Sequence, residues 1–156
     1  MKVIHHSAIC VRDLDQSLVF WRDGLGFEVL IDEQFEGDWP TLLHAPTKSL
    51  RSVFLGDPAA PGSGIVELVD LGDVPDAERP AGAPATSGFL LLSVITEVEA
   101  TLARLRKVQL GGTPRRVEVS GVAMAVVADP DGVLVELIDT MAAPNLDRLS
   151  ATGTEA

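Results

Sequence analysis

One cysteine, Cys10, is all the chain has, which excludes an intramolecular disulfide. On its apolar stretch Cys10 reads as a small core residue. No apolar run approaches the ~20 residues that a transmembrane helix needs. The opening stretch Met1-Lys2-Val3-Ile4-His5-His6 lacks the apolar segment of a secretory signal. Basic residues are scarce: 12 Lys and Arg face 23 Asp and Glu, for a formal net charge of -11. That balance excludes nucleic acid as a partner, because neutralising phosphates takes a basic patch. The acidity itself reads as solubility rather than as a ligand preference. There is no P-loop, GxGxxG fingerprint or serine-hydrolase elbow. With 156 residues, 46% of them hydrophobic, the chain amounts to about one domain with ample material for a core. These observations describe a soluble, cytoplasmic protein that binds neither nucleic acid nor membrane.

Two short segments stand out. Residues 64–70 read Gly-Ile-Val-Glu-Leu-Val-Asp, and residues 132–139 read Gly-Val-Leu-Val-Glu-Leu-Ile-Asp. Each has the pattern of a buried strand, β-branched and apolar, opened by Gly and closed by Asp. Each nevertheless carries a carboxylate, Glu67 or Glu136, in its apolar middle. A buried carboxylate is costly unless it is paired or binds a metal. The same Val-Glu-Leu frame occurring twice suggests two copies of one module whose glutamates converge on a shared site. The alternative is that one or both glutamates sit at a strand edge and face water.

The rest of the chain fits a repeat. Residues 3–11 read as a strand, and Asp13 is a good N-cap for a helix to about Asp23, with Leu14, Leu18 and Trp21 at helical spacing. Gly24 and Gly26 end it. Residues 27–35 form a second strand, with Phe27, Val29 and Ile31 on one face. A break at 37–40 precedes a short apolar segment at 41–45, a turn of helix or a lid. Residues 50–55 are a third strand, and the Glu67 strand is the fourth. Residues 71–87, rich in Pro, Gly, Ala and acid, read as a linker between a first module at 1–70 and a second at 88–140. The second module repeats the order: a strand at 89–95, a helix capped by Thr96 with Val98, Leu102 and Leu105 at helical spacing, strands at 114–120 and 122–127, a tight turn at 129–132, and the Glu136 strand. Residues 141–156 read as a tail. Aligning the two helices sets His6 against Leu90, or against Phe89 with a one-residue slip.

At this point the chain resembles the vicinal oxygen chelate superfamily, which includes glyoxalase I, extradiol dioxygenases, methylmalonyl-CoA epimerase and bleomycin-resistance proteins. The residues that carry the resemblance are 5–15 (His-His-Ser-Ala-Ile-Cys-Val-Arg-Asp-Leu-Asp), 20–27 (Phe-Trp-Arg-Asp-Gly-Leu-Gly-Phe), Val66-Glu67-Leu68, and 129–137 (Asp-Pro-Asp-Gly-Val-Leu-Val-Glu-Leu). The resemblance implies an α+β fold: two tandem βαβββ modules forming a curved mixed sheet around a cleft that holds a divalent metal ion. It implies metal ligands at His6, Glu67 and Glu136, with the fourth family position falling on Leu90 or Phe89, which cannot bind metal. It also implies a small-molecule substrate and a homodimer whose modules pair within one chain or between two.

No histidine lies beyond His44, so the second module cannot supply one. A His-Glu-Glu set inverts the two-His, one-carboxylate triad of a ring-cleaving dioxygenase, and suits Mg²⁺, Mn²⁺, Ni²⁺ or Co²⁺ better than a closed Zn²⁺ site. The leading expectation is a glyoxalase-like lyase, isomerase or epimerase in which Glu136, with Glu67 beside it, abstracts a proton next to a metal-bound carbonyl. The competing expectation is a metal-free binding or drug-resistance protein on the same fold. A dioxygenase with an atypical site is the weaker third. Trp39, His44, Phe54 and Met124 are candidates for the substrate pocket, as is Arg51 for a substrate anion. Strand alternation turns His5 away from His6, toward the surface, and Arg115 and Arg116 read as water-facing.

Overall fold

The computed structural model describes residues 2, 4–62, 64–77, 82–119 and 121–139. The expected tail at 141–156 lies outside them. Two four-stranded sheets are present, each built from one half of the chain. The first half gives β1 (His6–Cys10), α1 (Leu14–Leu18), β2 (Glu28–Glu36), α2 (Trp39–Leu43), β3 (Ser49–Gly56) and β4 (Ile65–Asp70). The second gives β5 (Leu92–Thr96), α3 (Val98–Lys107), β6 (Arg115–Val119), β7 (Val122–Ala128) and β8 (Leu134–Asp139). The strand orders are β1-β4-β3-β2 and β5-β8-β7-β6. In each sheet the first pair is parallel and the others antiparallel. This is the expected pair of βαβββ modules.

Local chemistry accounts for the first helix. The Asp13 side chain accepts the backbone N–H of Gln16, satisfying one of the free amides of the first turn. The helix then widens into a π-turn at Val19–Gly24, which turns Phe20 and Trp21 fully into the core. In the second module the structure corrects the cap. Thr96 ends β5 and its hydroxyl bonds that of Thr101, so Glu97 stands at the N-cap without a side-chain bond.

One core serves both modules. Val53, Leu55, Val66 and Leu68 of the first sheet join Leu102 and Leu105 of α3 and Val127, Val135 and Leu137 of the second sheet. Each such side chain contributes about 1.5–3 kcal/mol on burial. The modules meet where Gly24 packs against Leu105, close enough that a Cβ on Gly24 would stand 2.5 Å from Leu105 Cδ2. There Arg104 donates from Nε to the Gly24 carbonyl at 3.0 Å and from a terminal nitrogen to that of Leu25 at 3.3 Å. A second link crosses at the β7–β8 turn. Arg12 donates to Asp131 at 3.1 Å and to the Pro130 carbonyl at 2.7 Å, while Ser17 donates to Asp131 at 3.2 Å.

Three further expectations are corrected. A bulge between Val29 and Ile31 sends them to opposite faces, because Val29 pairs with Leu55 and Ile31 with Phe54. Cys10 is exposed rather than buried, since β1 is an edge strand and Cys10 lies on the face away from the helices. The fifth strand begins at Leu92, leaving Phe89 and Leu90 outside it and exposed.

Candidate functional site

Each sheet packs one face on the helices and leaves the other open. On the first sheet Val53, Leu55, Val66 and Leu68 face the helices, so the alternate residues His6, Ser52, Phe54 and Glu67 share the open face. On the second sheet Val127, Val135 and Leu137 face the helices, which leaves Met124, Val126, Glu136 and Ser93 on the open one.

The open face of the first sheet holds a connected polar group. His6 Nε2 lies 3.1 Å from Glu67 Oε2. The buried hydroxyl of Ser52 donates to the other carboxylate oxygen, Glu67 Oε1. Phe54 sets its ring edge-on to the His6 imidazole, centroids 5.5 Å apart. His5 is exposed, as expected, but it is not turned away from His6: it precedes β1, and its Nδ1 lies 2.8 Å from His6 Nδ1, so one ring nitrogen donates to the other.

The second sheet repeats half of this. Ser93 donates to Glu136 Oε2 at 2.5 Å. Glu67 pairs in register with Ala8, and Glu136 with Ser93, so the counterpart of His6 is Leu91, just before β5, rather than Leu90 or Phe89. The helix alignment runs one residue out because Asp13 follows Ala8 by five positions while Glu97 follows Ser93 by four.

The two glutamates therefore differ. Glu67 is held by a histidine and a serine, and Glu136 by a serine alone. The donors suit a divalent ion, one imidazole nitrogen beside carboxylate oxygens. Yet among the described residues no three His, Cys, Asp or Glu side chains gather closely enough to hold one. His6 and Glu67 make a two-donor half-site, and Glu136 belongs to the other sheet.

The candidate pocket residues separate. Phe54 and Met124 lie on the open faces. Trp39 folds back at the end of β2, donating from Nε1 to the Phe35 carbonyl at 3.1 Å. His44 ends α2 in the left-handed region at φ 54°, exposed, and its side chain makes no hydrogen bond or ion pair among the described residues. Arg51 is not a pocket residue. It points to the helix side and grips Asp32 through two bonds of 2.8 and 2.7 Å, which holds the Asp32 carboxyl below its ordinary value.

Residues 3–137 match the Glyoxalase/Bleomycin resistance protein/Dioxygenase superfamily. The chain belongs to that superfamily, the vicinal oxygen chelate proteins. Its similarity to the lactoylglutathione lyase-like protein terB of Aspergillus terreus is 32% identity over 145 residues, covering 86% of this chain and 74% of that one. It is also similar to the trypanothione-dependent glyoxalase I of Leishmania major, with 25% identity and a TM-score of 0.68 across 99% of this chain and 100% of that one. The fold alone is shared with the antibiotic binding protein TnmS3 of a Streptomyces species, at 20% identity and a TM-score of 0.54 over 89% of this chain and 96% of that one. Within this vicinal oxygen chelate protein, Ser52 and Ser93 are the site residues that sequence reasoning passed over. The one signal for Ser93 is a polar residue among apolar ones on the strand paired with the Glu136 strand. Ser52 needs the register of β3 against β4.

No helix among the described residues is long and apolar enough to cross a membrane.

Proposed function

We propose that this protein is a glyoxalase-like lyase, isomerase or epimerase that moves a proton on a carbon next to a carbonyl of a small substrate. The observation that carries this reading is the unequal treatment of the two glutamates. Glu67, tied by His6 and Ser52, would be a ligand, and those contacts support that role. Glu136, whose carboxylate is held by Ser93 alone among the described residues, would be the base. His6, Glu67 and Glu136 would hold the ion, and Leu91 would leave a coordination position open for substrate. When bound, the ion supplies a Lewis acid that makes the neighbouring carbon acidic. Glu136 accepts the proton and returns it to the same or the adjacent carbon, which leaves the substrate's atoms conserved. Ser93 orients the carboxylate, and the edge-on ring of Phe54 braces the His6 imidazole.

The reading requires two copies of the chain, with the first sheet of one facing the second sheet of the other. Three facts support this: among the described residues one chain brings only His6 and Glu67 of the ligand set together, β1 and β5 each lie at an end of their sheets, and Phe89, Leu90 and Ile95 are exposed beside them. A metal-free binding protein is the second reading. It is favoured by Glu67 already having two protein partners and by Leu91 standing where a fourth ligand would be.

The test is metal content of the purified protein by inductively coupled plasma mass spectrometry, beside His6→Ala, Glu67→Ala and Glu136→Ala. About one divalent ion per chain, lost in His6→Ala and Glu67→Ala, supports the enzyme. A wild type that stays empty after exposure to Mn²⁺, Ni²⁺, Co²⁺, Mg²⁺ and Zn²⁺ leaves the binding protein.

A further inference from the structure

Three arginines lie on the strands, and two are spent. Arg51 is paired with Asp32, and Arg116 with Glu99 of α3 at 2.5 Å, both on the helix side of their sheets. Arg115 alternates to the other side. It pairs with Val126 across β6–β7, Val126 pairs with Glu136, and Glu136 pairs with Ser93. Directly opposed residues share a face, so Ser93, Glu136, Val126 and Arg115 form one row across the open face of the second sheet. Two strand spacings of ~4.8 Å place Arg115 about 10 Å from Glu136 along that row. Arg115 is exposed and makes no hydrogen bond or ion pair among the described residues. Among the described residues it is the one arginine or lysine that the strands present on either open face. The surface around it is apolar: Val117 and Val119 on the same strand are 57% and 51% exposed, and Met124 lies on the next strand.

We propose that Arg115 is the anion-recognising residue of the site. It takes the carboxylate of a substrate whose apolar body lies over Val126 and Met124 and whose reacting carbon reaches Glu136. The guanidinium fork matches a carboxylate in two bonds, and an apolar floor strengthens that pairing. The substrate class is therefore an apolar acid whose carboxylate stands several bonds from the reacting carbon. Because the reacting end is placed by Glu136, this inference rests on the reading given above.

Two probes test it on the full chain. In ligand-observed saturation-transfer NMR, 4-phenylbutanoate is compared with the neutral 4-phenylbutanamide. In turnover, the hemithioacetal of phenylglyoxal with 4-mercaptobutanoate is compared with that of 4-mercaptobutanol. The wild type prefers each acid by about tenfold or more, as a charge-assisted bidentate pair gives. Arg115→Ala removes the preference through KM rather than kcat, and Arg115→Lys restores part of it. A preference that survives Arg115→Ala, acid and neutral probes that bind alike in the wild type, or a variant whose oligomeric state changes overturns the proposal. If the wild type turns over neither hemithioacetal yet binds the acid through Arg115, the reaction falls and the arginine's role stands.

Discussion

His6 and Glu67 hold one another across the edge pair of the first sheet, Nε2 to Oε2 at 3.1 Å, and the buried Ser52 ties the carboxylate from the neighbouring strand. Glu67 is thus half-buried but satisfied at both oxygens. Ser52→Ala leaves one of them without its donor. The expected cost is about 1–3 kcal/mol of stability, read as a lower urea midpoint at unchanged slope. If the ion sits on Glu67, the same variant also weakens metal affinity by roughly 10- to 100-fold. An unchanged midpoint would mean that Ser52 packs there without bonding.

The two glutamates should separate under mutation. Glu136→Gln keeps the ion but slows exchange of the substrate's carbon-bound proton by about 10²- to 10⁴-fold, followed by proton NMR in D₂O with the phenylglyoxal hemithioacetals. Glu67→Gln loses the ion first. Undiminished proton exchange in metal-loaded Glu136→Gln would remove the assignment of Glu136 as the base.

Gly24 is a packing glycine. A methyl group there would press on Leu105 Cδ2 at 2.5 Å, and Leu105 is buried between the modules with little room to yield. Gly24→Ala is expected to cost about 1–3 kcal/mol. Combining it with Leu105→Ala makes room for the methyl group, so the double variant loses less than the two single losses together. Strict additivity in thermal or urea unfolding would place the strain elsewhere.

Asp129 supplies a pH signature. One oxygen accepts the backbone N–H groups of Asp131 and Val133, at 2.9 and 2.8 Å. Its other oxygen and the Trp21 indole nitrogen are buried without a well-formed hydrogen bond, although the indole favours the charged carboxylate. Burial is the main cause that pushes the carboxyl up to about 6, and the Asp131 charge adds to it. The folded state therefore holds this proton more tightly than the unfolded state. The stability it contributes is complete below the ordinary carboxylate range and is lost as pH rises through about 6. Relative to Asp129→Asn, the wild type should gain on the order of 1 kcal/mol between pH 7 and pH 5. Parallel stability curves for the two proteins would contradict this.

Much of the molecule was legible from pattern alone. The repeat of Val-Glu-Leu announced two modules because burial makes an acidic residue in an apolar strand conspicuous. The Asp13 cap is also local, since its side chain bonds an amide three residues away. Leu91 was missed because strand register depends on hydrogen bonding between distant segments, and a helix alignment cannot count residues in the connection before it. Arg51 was misplaced for a related reason. Its face depends on how β3 pairs with β2 and β4, and that pairing delivers it to Asp32.

Composition and periodicity thus determine the strand-helix-strand-strand-strand repeat and the glutamate pair, which follow from local propensity and the cost of burying charge, while the family rests on the resemblance of particular motifs and on the match over residues 3–137. Tertiary structure alone decides which serine holds which glutamate, that His5 touches His6, that Cys10 is exposed and that Arg115 shares a row with Glu136. Those relationships come from cross-strand register, edge position and a bulge. A one-residue change in any of them would reverse the faces without altering the hydrophobic pattern by which the strands are recognised.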